Sequence, residues 1–250
     1  MIITGAAGGI GRETVRAMSA EGCEIICADI SGSALDVLCS DLAGLPGKRV
    51  PVVSQLRDAA QCRSVVAAAS GRVSGLVHLA GVFEPDPQSI DDMGVYDRAM
   101  AHNLTNGYLM GNAVAEAILG ATGRKGDTSD GESEGYGAMV FTSSLAFLRG
   151  SWEHVPYAAA KGGLVGMTRA MSRRFAPHIR VNAIAPGSIN TTMPAKLVAE
   201  RGIERVTAEI PLRRMGEASE VASVIAFLMG AGASYVTGQC IHVDGGIINA

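Results

Sequence analysis

The sequence predicts an α/β protein built on a mostly parallel, seven-stranded sheet with helices on both faces. Two observations carry this. Seven short apolar runs alternate with stretches of helical pattern, which is the rhythm of β-α-β units. The runs are apolar nearly throughout rather than at every second residue, as strands covered on both sides must be. No internal repeat is present and no linker divides the chain, so residues 1–250 are expected to form one domain.

The expected strands are "MIIT" (1–4), "EIICAD" (24–29), "RVPVV" (49–53), "GLVHLA" (75–80), "AMVFTS" (138–143), "IRVNAIA" (179–185) and "CIHVD" (240–244). Helical patterns lie between them, among them Arg12–Glu21, Val95–Leu119, Tyr157–Phe175 and Ser219–Met229. The segment 120–137, "GATGRKGDTSDGESEGYG", is rich in Gly, Ser and charge and reads as a flexible surface insertion. It joins a helix to the next strand, so it should leave the sheet at the edge opposite the ligand-binding carboxyl edge. The first strand starts only three residues before Thr4, which predicts a native start upstream.

Composition narrows the function classes. With 48% hydrophobic and 18% charged residues the chain is neither disordered nor fibrous. A net charge of −3 without a basic stripe argues against nucleic acid. No apolar run is long enough to cross a bilayer, and "MIITGAAGG" lacks the charged start of a signal peptide. A cytoplasmic protein with no membrane partner is expected. The five cysteines, Cys23, Cys27, Cys39, Cys62 and Cys240, contain no C-x-x-C pair. Neither a metal site nor a disulfide framework is expected, and Cys23 and Cys27 read as small hydrophobes on a strand.

"TGAAGGIG" (4–11) follows the first strand and opens a helix. Gly5, Gly9 and Gly11 suit a tight turn that brings backbone close to a diphosphate, with free N–H groups and the positive end of the helix dipole facing the anion. The spacing is G-x-x-x-G-x-G, which is neither the common dinucleotide fingerprint nor a P-loop. Asp29 ends the second strand 18 residues after Gly11, where a carboxylate can accept both hydroxyls of an adenosine ribose. A 2′-phosphate there would be repelled, and no Lys or Arg follows closely to offset it. NAD is therefore favoured over NADP.

Tyr157 and Lys161, in "YAAAK", are four apart and share one helix face; Pro156 suits the helix start. An ammonium close to a phenol favours the phenolate, and such a tyrosine can exchange a proton with a substrate oxygen. Ser143 and Ser144 end a strand at the carboxyl edge, thirteen to fourteen residues earlier. Asn103 lies inside a helical stretch, where an amide is mildly unfavourable.

In this order and spacing, the pieces "TGAAGGIG", Asp29, "LAG" (79–81), Asn103, "SS" (143–144), "YAAAK", "NAIAPGSINTTM" (182–193), "PLRRMGEASEVA" (211–222) and "YVTGQCIHVDGG" (235–246) resemble the short-chain dehydrogenase/reductase family over essentially the whole chain. The resemblance implies a doubly wound, Rossmann-type fold and hydride transfer between a nicotinamide C4 and a ketone or secondary alcohol. It implies Tyr157 as general acid/base. Lys161 would bind the nicotinamide ribose and depress the tyrosine pKa. Ser144 would polarise the substrate oxygen, with Ser143 as its structural neighbour, and Asn103 would hold a water that links Lys161 to solvent. It also implies a dinucleotide site of Thr4, Gly5, Gly9, Ile10, Gly11, Asp29, Ala80, Gly81, Tyr157, Lys161, Pro186, Gly187, Ile189 and Thr191. A homotetramer or homodimer, paired through the helices at Val95–Leu119 and Tyr157–Phe175, completes it. The alternatives are a 3-oxoacyl-[acyl-carrier-protein] reductase using NADPH, or a catalytically silent NAD-sensing protein on the same fold.

Two positions depart from the family pattern. His78-Leu79-Ala80-Gly81 stands where Asn-Asn-Ala-Gly is usual, so His78 either replaces the missing amide in part or is a packed strand histidine. Ser54 stands where an aspartate often contacts adenine. Substrate choice should fall to Phe83–Asp86, Leu145–Val155 and Ser188–Ile210, which supply Phe83, Leu145, Phe147, Trp152, His154 and Met193. The pocket these imply is apolar with a few polar points.

Overall fold

The computed structural model describes residues 1–89, 91–121, 137–192, 199 and 202–248. Seven strands form one all-parallel sheet in the order β3-β2-β1-β4-β5-β6-β7. They are β1 (Ile2–Thr4), β2 (Ile25–Asp29), β3 (Arg49–Val53), β4 (Gly75–His78), β5 (Gly137–Thr142), β6 (Ile179–Pro186) and β7 (Cys240–Val243). Each lies within two residues of its sequence expectation. Cys27 is buried in β2, whereas Cys23 falls just before the strand.

Alternation within each strand feeds two cores, because successive side chains point to opposite faces. Ile2, Ile26, Leu76, Phe141 and Val181 face one way, onto Val65 of α3 (Ala59–Ala67), Val114 of α5 (Asn106–Ala121) and Leu164 of α7 (Val155–Phe175). Ile3, Ile25, Val77, Val140 and Ile184 face the other way. They meet Val15 of α1 (Gly9–Ala20), Leu35 of α2 (Gly32–Asp41) and Val221 of α9 (Ala218–Met229). Each such side chain contributes about 1.5–3 kcal/mol on burial. Both faces are therefore dry, and ligand access is left to the strand ends.

The order of connections reverses between β1 and β4, so their carboxyl ends flank the crevice that an open α/β sheet offers a ligand. The expected helix Val95–Leu119 is divided. α4 (Gly94–Met100) passes into a π-turn, Ala101–Thr105, before α5 resumes. Within it the N–H of Asn106 reaches back five residues to the carbonyl of Ala101. Such bulges cluster at functional sites, and Asn103 sits inside this one. Short helices α6 (Ala146–Arg149) and α8 (Ile203–Ala208) flank the carboxyl edge. Most of the 120–137 insertion, and Met193, lie outside the described residues; β5 starts at Gly137, the end of the strand away from Ser143 and Ser144.

Candidate active site

The turn after β1 is built from backbone packed against backbone. Gly5 has φ +64°, and a side chain there would meet the Ala80 N at 2.8 Å. One at Gly11 would strike the Gly5 carbonyl oxygen at 2.1 Å, and one at Gly9 the Thr191 methyl at 2.5 Å. Glycine is therefore required on steric grounds, and the loop after β6 closes onto the turn through Thr191. α1 begins at Gly9 behind Gly8, with no side chain capping its first N–H groups and no acid in its first turn. Those N–H groups and the helix dipole suit a diphosphate.

Asp29 is fixed at the end of β2. One carboxylate oxygen accepts the N–H of Ala7 at 3.0 Å and the other that of Ser31 at 3.2 Å. The two arginines of α1 are both engaged, Arg12 with Asp41 at 2.7 Å and Arg16 with Glu13 at 3.3 Å. Ser54, after β3, accepts the N–H of Leu56 at 3.3 Å. On the far side of the crevice, Gly187 donates to the Val243 carbonyl at 3.0 Å, and the Pro186 carbonyl accepts from Leu145 at 3.1 Å. Ile189 is buried beside Gly216. A dinucleotide fits these residues: a glycine cradle without room for side chains, uncapped N–H groups, and a positioned carboxylate one strand away.

The chemical groups meet where β5 ends and α7 begins. Tyr157 is 8% exposed, and the Ser144 hydroxyl is the neighbouring group that favours its ionised form. The Ser144 hydroxyl also accepts the Ala146 N–H at 3.2 Å. Ser143 instead turns inward and donates to the Lys161 carbonyl at 2.8 Å. Lys161 is 4% exposed; its ammonium lies 5.6 Å from the Tyr157 ring centroid and donates to the Thr142 carbonyl at 2.7 Å.

This corrects one expectation. Burial pushes the Tyr157 phenol above its ordinary 10.0, and the group opposing that rise is the Ser144 hydroxyl. The Lys161 ammonium is given to a backbone carbonyl and sits over the ring, and burial lowers its own pKa to about 8.

Asn103 is completely buried. Its Oδ1 accepts the Val82 N–H at 3.0 Å and its Nδ2 donates to the Ala99 carbonyl at 3.0 Å. A side chain on Gly81 would lie 2.5 Å from Asn103 Oδ1 and 3.3 Å from Lys161 Nζ, so these three residues share one spot. Both ends of the amide are committed to backbone, which explains a buried asparagine within a helix.

His78 holds a bonding position that the sequence left open. Its Nδ1 lies 2.8 Å from the Thr4 hydroxyl and its Nε2 lies 3.3 Å from Asn106 Oδ1. The Ala80 N–H reaches the same Thr4 oxygen at 3.4 Å. Burial first, and the charge of Lys161 second, push the imidazole pKa down to about 3, so the ring is neutral. It therefore replaces the missing amide and is packed as well.

Of the substrate-loop residues, Phe83 stands beside Tyr157, and His154 stacks on Phe83. Phe147 instead lines a cavity of about 460 Å³ between α6, α7 and β7, with Arg169 and His242, and no catalytic candidate borders it. Among the described residues no cluster of His, Cys, Asp and Glu could hold a metal ion, and no helix is long and apolar enough to cross a membrane.

The family profile described as Enoyl-(Acyl carrier protein) reductase matches residues 5–248. The chain belongs to the short-chain dehydrogenase/reductase family. It is 36% identical to the 3-oxoacyl-[acyl-carrier-protein] reductase FabG of Thermotoga maritima, over 99% of this chain and 96% of that one. Among solved structures it resembles a short-chain dehydrogenase/reductase described as a glucose/ribitol dehydrogenase from Brucella melitensis. The TM-score is 0.86 at 33% identity, with 100% and 96% of the chains covered. It also resembles a 3-oxoacyl-[acyl-carrier protein] reductase with bound NAD from Brucella melitensis, with a TM-score of 0.83 at 28% identity over 100% and 90% of the chains. Like other members, this short-chain dehydrogenase/reductase is an oxidoreductase that works with a nicotinamide dinucleotide on hydroxyl or keto groups. Its doubly wound sheet is the one the sequence predicts.

Proposed function

We propose that the protein interconverts a ketone and its secondary alcohol with Tyr157 as the acid/base, and that NAD is the preferred dinucleotide. The observation that carries the first part is a buried phenol, Tyr157 of α7, with the Lys161 ammonium 5.6 Å from its ring and the Ser144 hydroxyl, just past β5, as the group that favours its ionised form. When bound, the dinucleotide supplies or accepts the hydride.

The chain's own groups do the rest. Ser144 orients and polarises the substrate oxygen while Tyr157 gives that oxygen a proton, or takes one in the oxidative direction. Lys161 places a cation 5.6 Å from the phenol ring, and its donors are available for ribose hydroxyls. Thr4, Gly5, Gly9, Ile10, Gly11, Ala80, Gly81, Pro186, Gly187, Ile189 and Thr191 would line the dinucleotide. Each end of the Asn103 amide holds one backbone bond and keeps a second site, which would hold a water for a proton relay past Lys161.

The NAD preference rests on Asp29, whose oxygens are held by the Ala7 and Ser31 N–H groups while Arg12 and Arg16 are paired with Asp41 and Glu13. The rival reading, a 3-oxoacyl-[acyl-carrier-protein] reductase using NADPH, is favoured by the likeness to the Thermotoga maritima reductase. A homo-oligomer and a cytoplasmic location complete the proposal; the former is supported by Tyr96 and Tyr108, about half-exposed on α4 and α5.

Tyr157→Phe tests the assignment. NADH-linked ketone reduction should fall by about 10²–10⁴-fold, with NADH binding, followed by fluorescence titration, retained. Equal loss of binding and turnover would make Tyr157 a structural residue.

A further inference from the structure

The site has a wall that the mechanism does not use. Beyond β4, Asn103 pins the Val82 N–H at 3.0 Å, one residue before Phe83. Across from it, the segment before α7 is folded back on itself: Ser151 Oγ lies 3.2 Å from His154 Nδ1. The two segments are joined by the Asp86 N–H, which donates to the Glu153 carbonyl at 2.7 Å. On this frame Phe83 and His154 stack, with ring centroids 3.9 Å apart and planes within 11°. Phe83 then meets Tyr157 edge to face, at 4.9 Å and 82°.

The catalytic phenol is therefore the end of a row of three rings. Phe83 is 38% exposed, so part of its surface remains open. A carbonyl oxygen bound at the Tyr157 hydroxyl lies at the end of this row, so a substituent of its carbon has the ring edge of Phe83 beside it. We infer that the Phe83–His154 stack is the specificity-determining wall of this site, and that it selects compact, flat ring ketones and their alcohols over open-chain acyl groups on a long tether. The inference rests on the ketone–alcohol reading above.

Two physical reasons support it. Aromatic faces and edges reward flat or ring-shaped partners in defined offset geometries. A wall anchored at Val82, Ser151 and Asp86 is preorganised, so a rigid ring loses little freedom on binding, whereas an acyl chain must freeze several rotors. A third observation concerns the tether. The segment 84–92, "EPDPQSIDD", carries four carboxylates and no Lys or Arg of its own, and Glu84 already binds Arg98 at 2.7 Å. Like charges disfavour a phosphate-bearing carrier passing over such a stretch.

The test uses the full chain with NADH and, separately, NADPH. The value of kcat/KM is measured for a cyclohexanone-type diketone, an open-chain diketone of equal carbon number, acetoacetyl-coenzyme A and its uncharged N-acetylcysteamine analogue. The wild type should prefer the ring substrate by about tenfold. In Phe83→Leu and His154→Leu that ratio should collapse towards one, mainly through KM for the ring. A wild type that prefers the open-chain or coenzyme A substrate would overturn the inference while leaving the ketone–alcohol reading intact. So would a ring preference unchanged in both variants. Failure of every carbonyl compound to oxidise either dinucleotide would remove the underlying reading itself.

Discussion

The Thr4 hydroxyl and the His78 imidazole meet at 2.8 Å, tying the end of β1 to the end of β4 across the crevice. Asn106 Oδ1 can only accept, so Nε2 carries the proton and donates to it at 3.3 Å, and Nδ1 accepts from Thr4. The phosphate turn, β4 and the π-turn beneath Lys161 are thereby joined through one neutral ring. His78→Phe would leave the Thr4 O–H without its acceptor and Asn106 Oδ1 with the Gly107 N–H alone, and should cost about 1–3 kcal/mol, read as a lower Tm; His78→Gln should recover part of it.

The same ring gives a pH dependence of definite sign. Its pKa is 6.5 ordinarily and about 3 when folded. Between those values the unfolded chain binds a proton that the folded chain refuses, so this contribution is complete above pH 6.5 and is lost as pH falls towards 3. Urea melts of the wild type should steepen in that window relative to His78→Gln; parallel curves would contradict the burial assigned to the ring.

Lys161 acts in a different window. Burial takes its pKa from 10.5 to about 8. Between pH 8 and 10.5 the folded chain has shed a proton that the unfolded chain still holds, so the lysine adds stability as pH rises through that range. Lys161→Met should lack this increment while losing ketone reduction, which melts at pH 7, 8, 9 and 10 would detect as a flatter profile.

Asp29→Ala removes the carboxylate assigned to the ribose hydroxyls and the repulsion of a 2′-phosphate. The ratio of kcat/KM for NADP to that for NAD should rise by roughly tenfold. An unchanged ratio would remove Asp29 from cofactor selection.

Gly9→Ala places a methyl 2.5 Å from the Thr191 side chain. It should raise the cofactor KM by displacing the loop after β6 with little change in Tm, and Thr191→Ala in the same chain should restore much of the loss. Separation of the two effects would show that the loop does not rest on the turn.

The strands, the glycine turn and the Tyr157–Lys161 pair were legible because each depends on neighbours in sequence. An apolar run, a steric need for glycine and a four-residue helical spacing are local quantities. The break in the helix at Asn103 was not legible, since a π-turn follows from the amide's bonds to Val82 and Ala99 rather than from any propensity. Nor was the placement of Phe147, which the sequence put among the substrate residues and which borders the cavity beside β7.

By itself, then, the sequence determined the order of elements, the parallel sheet, the family and the residues offered for catalysis. Tertiary structure alone decided which way the Lys161 ammonium points, that burial raises the Tyr157 phenol, that His78 carries a buried bond at each nitrogen, and that Phe83 stacks on His154. The reason is physical. Periodicity is encoded within a few residues, whereas desolvation and side-chain pairing depend on groups that only folding brings together; Thr4 and His78 are 74 positions apart and His78 and Asn106 are 28 apart.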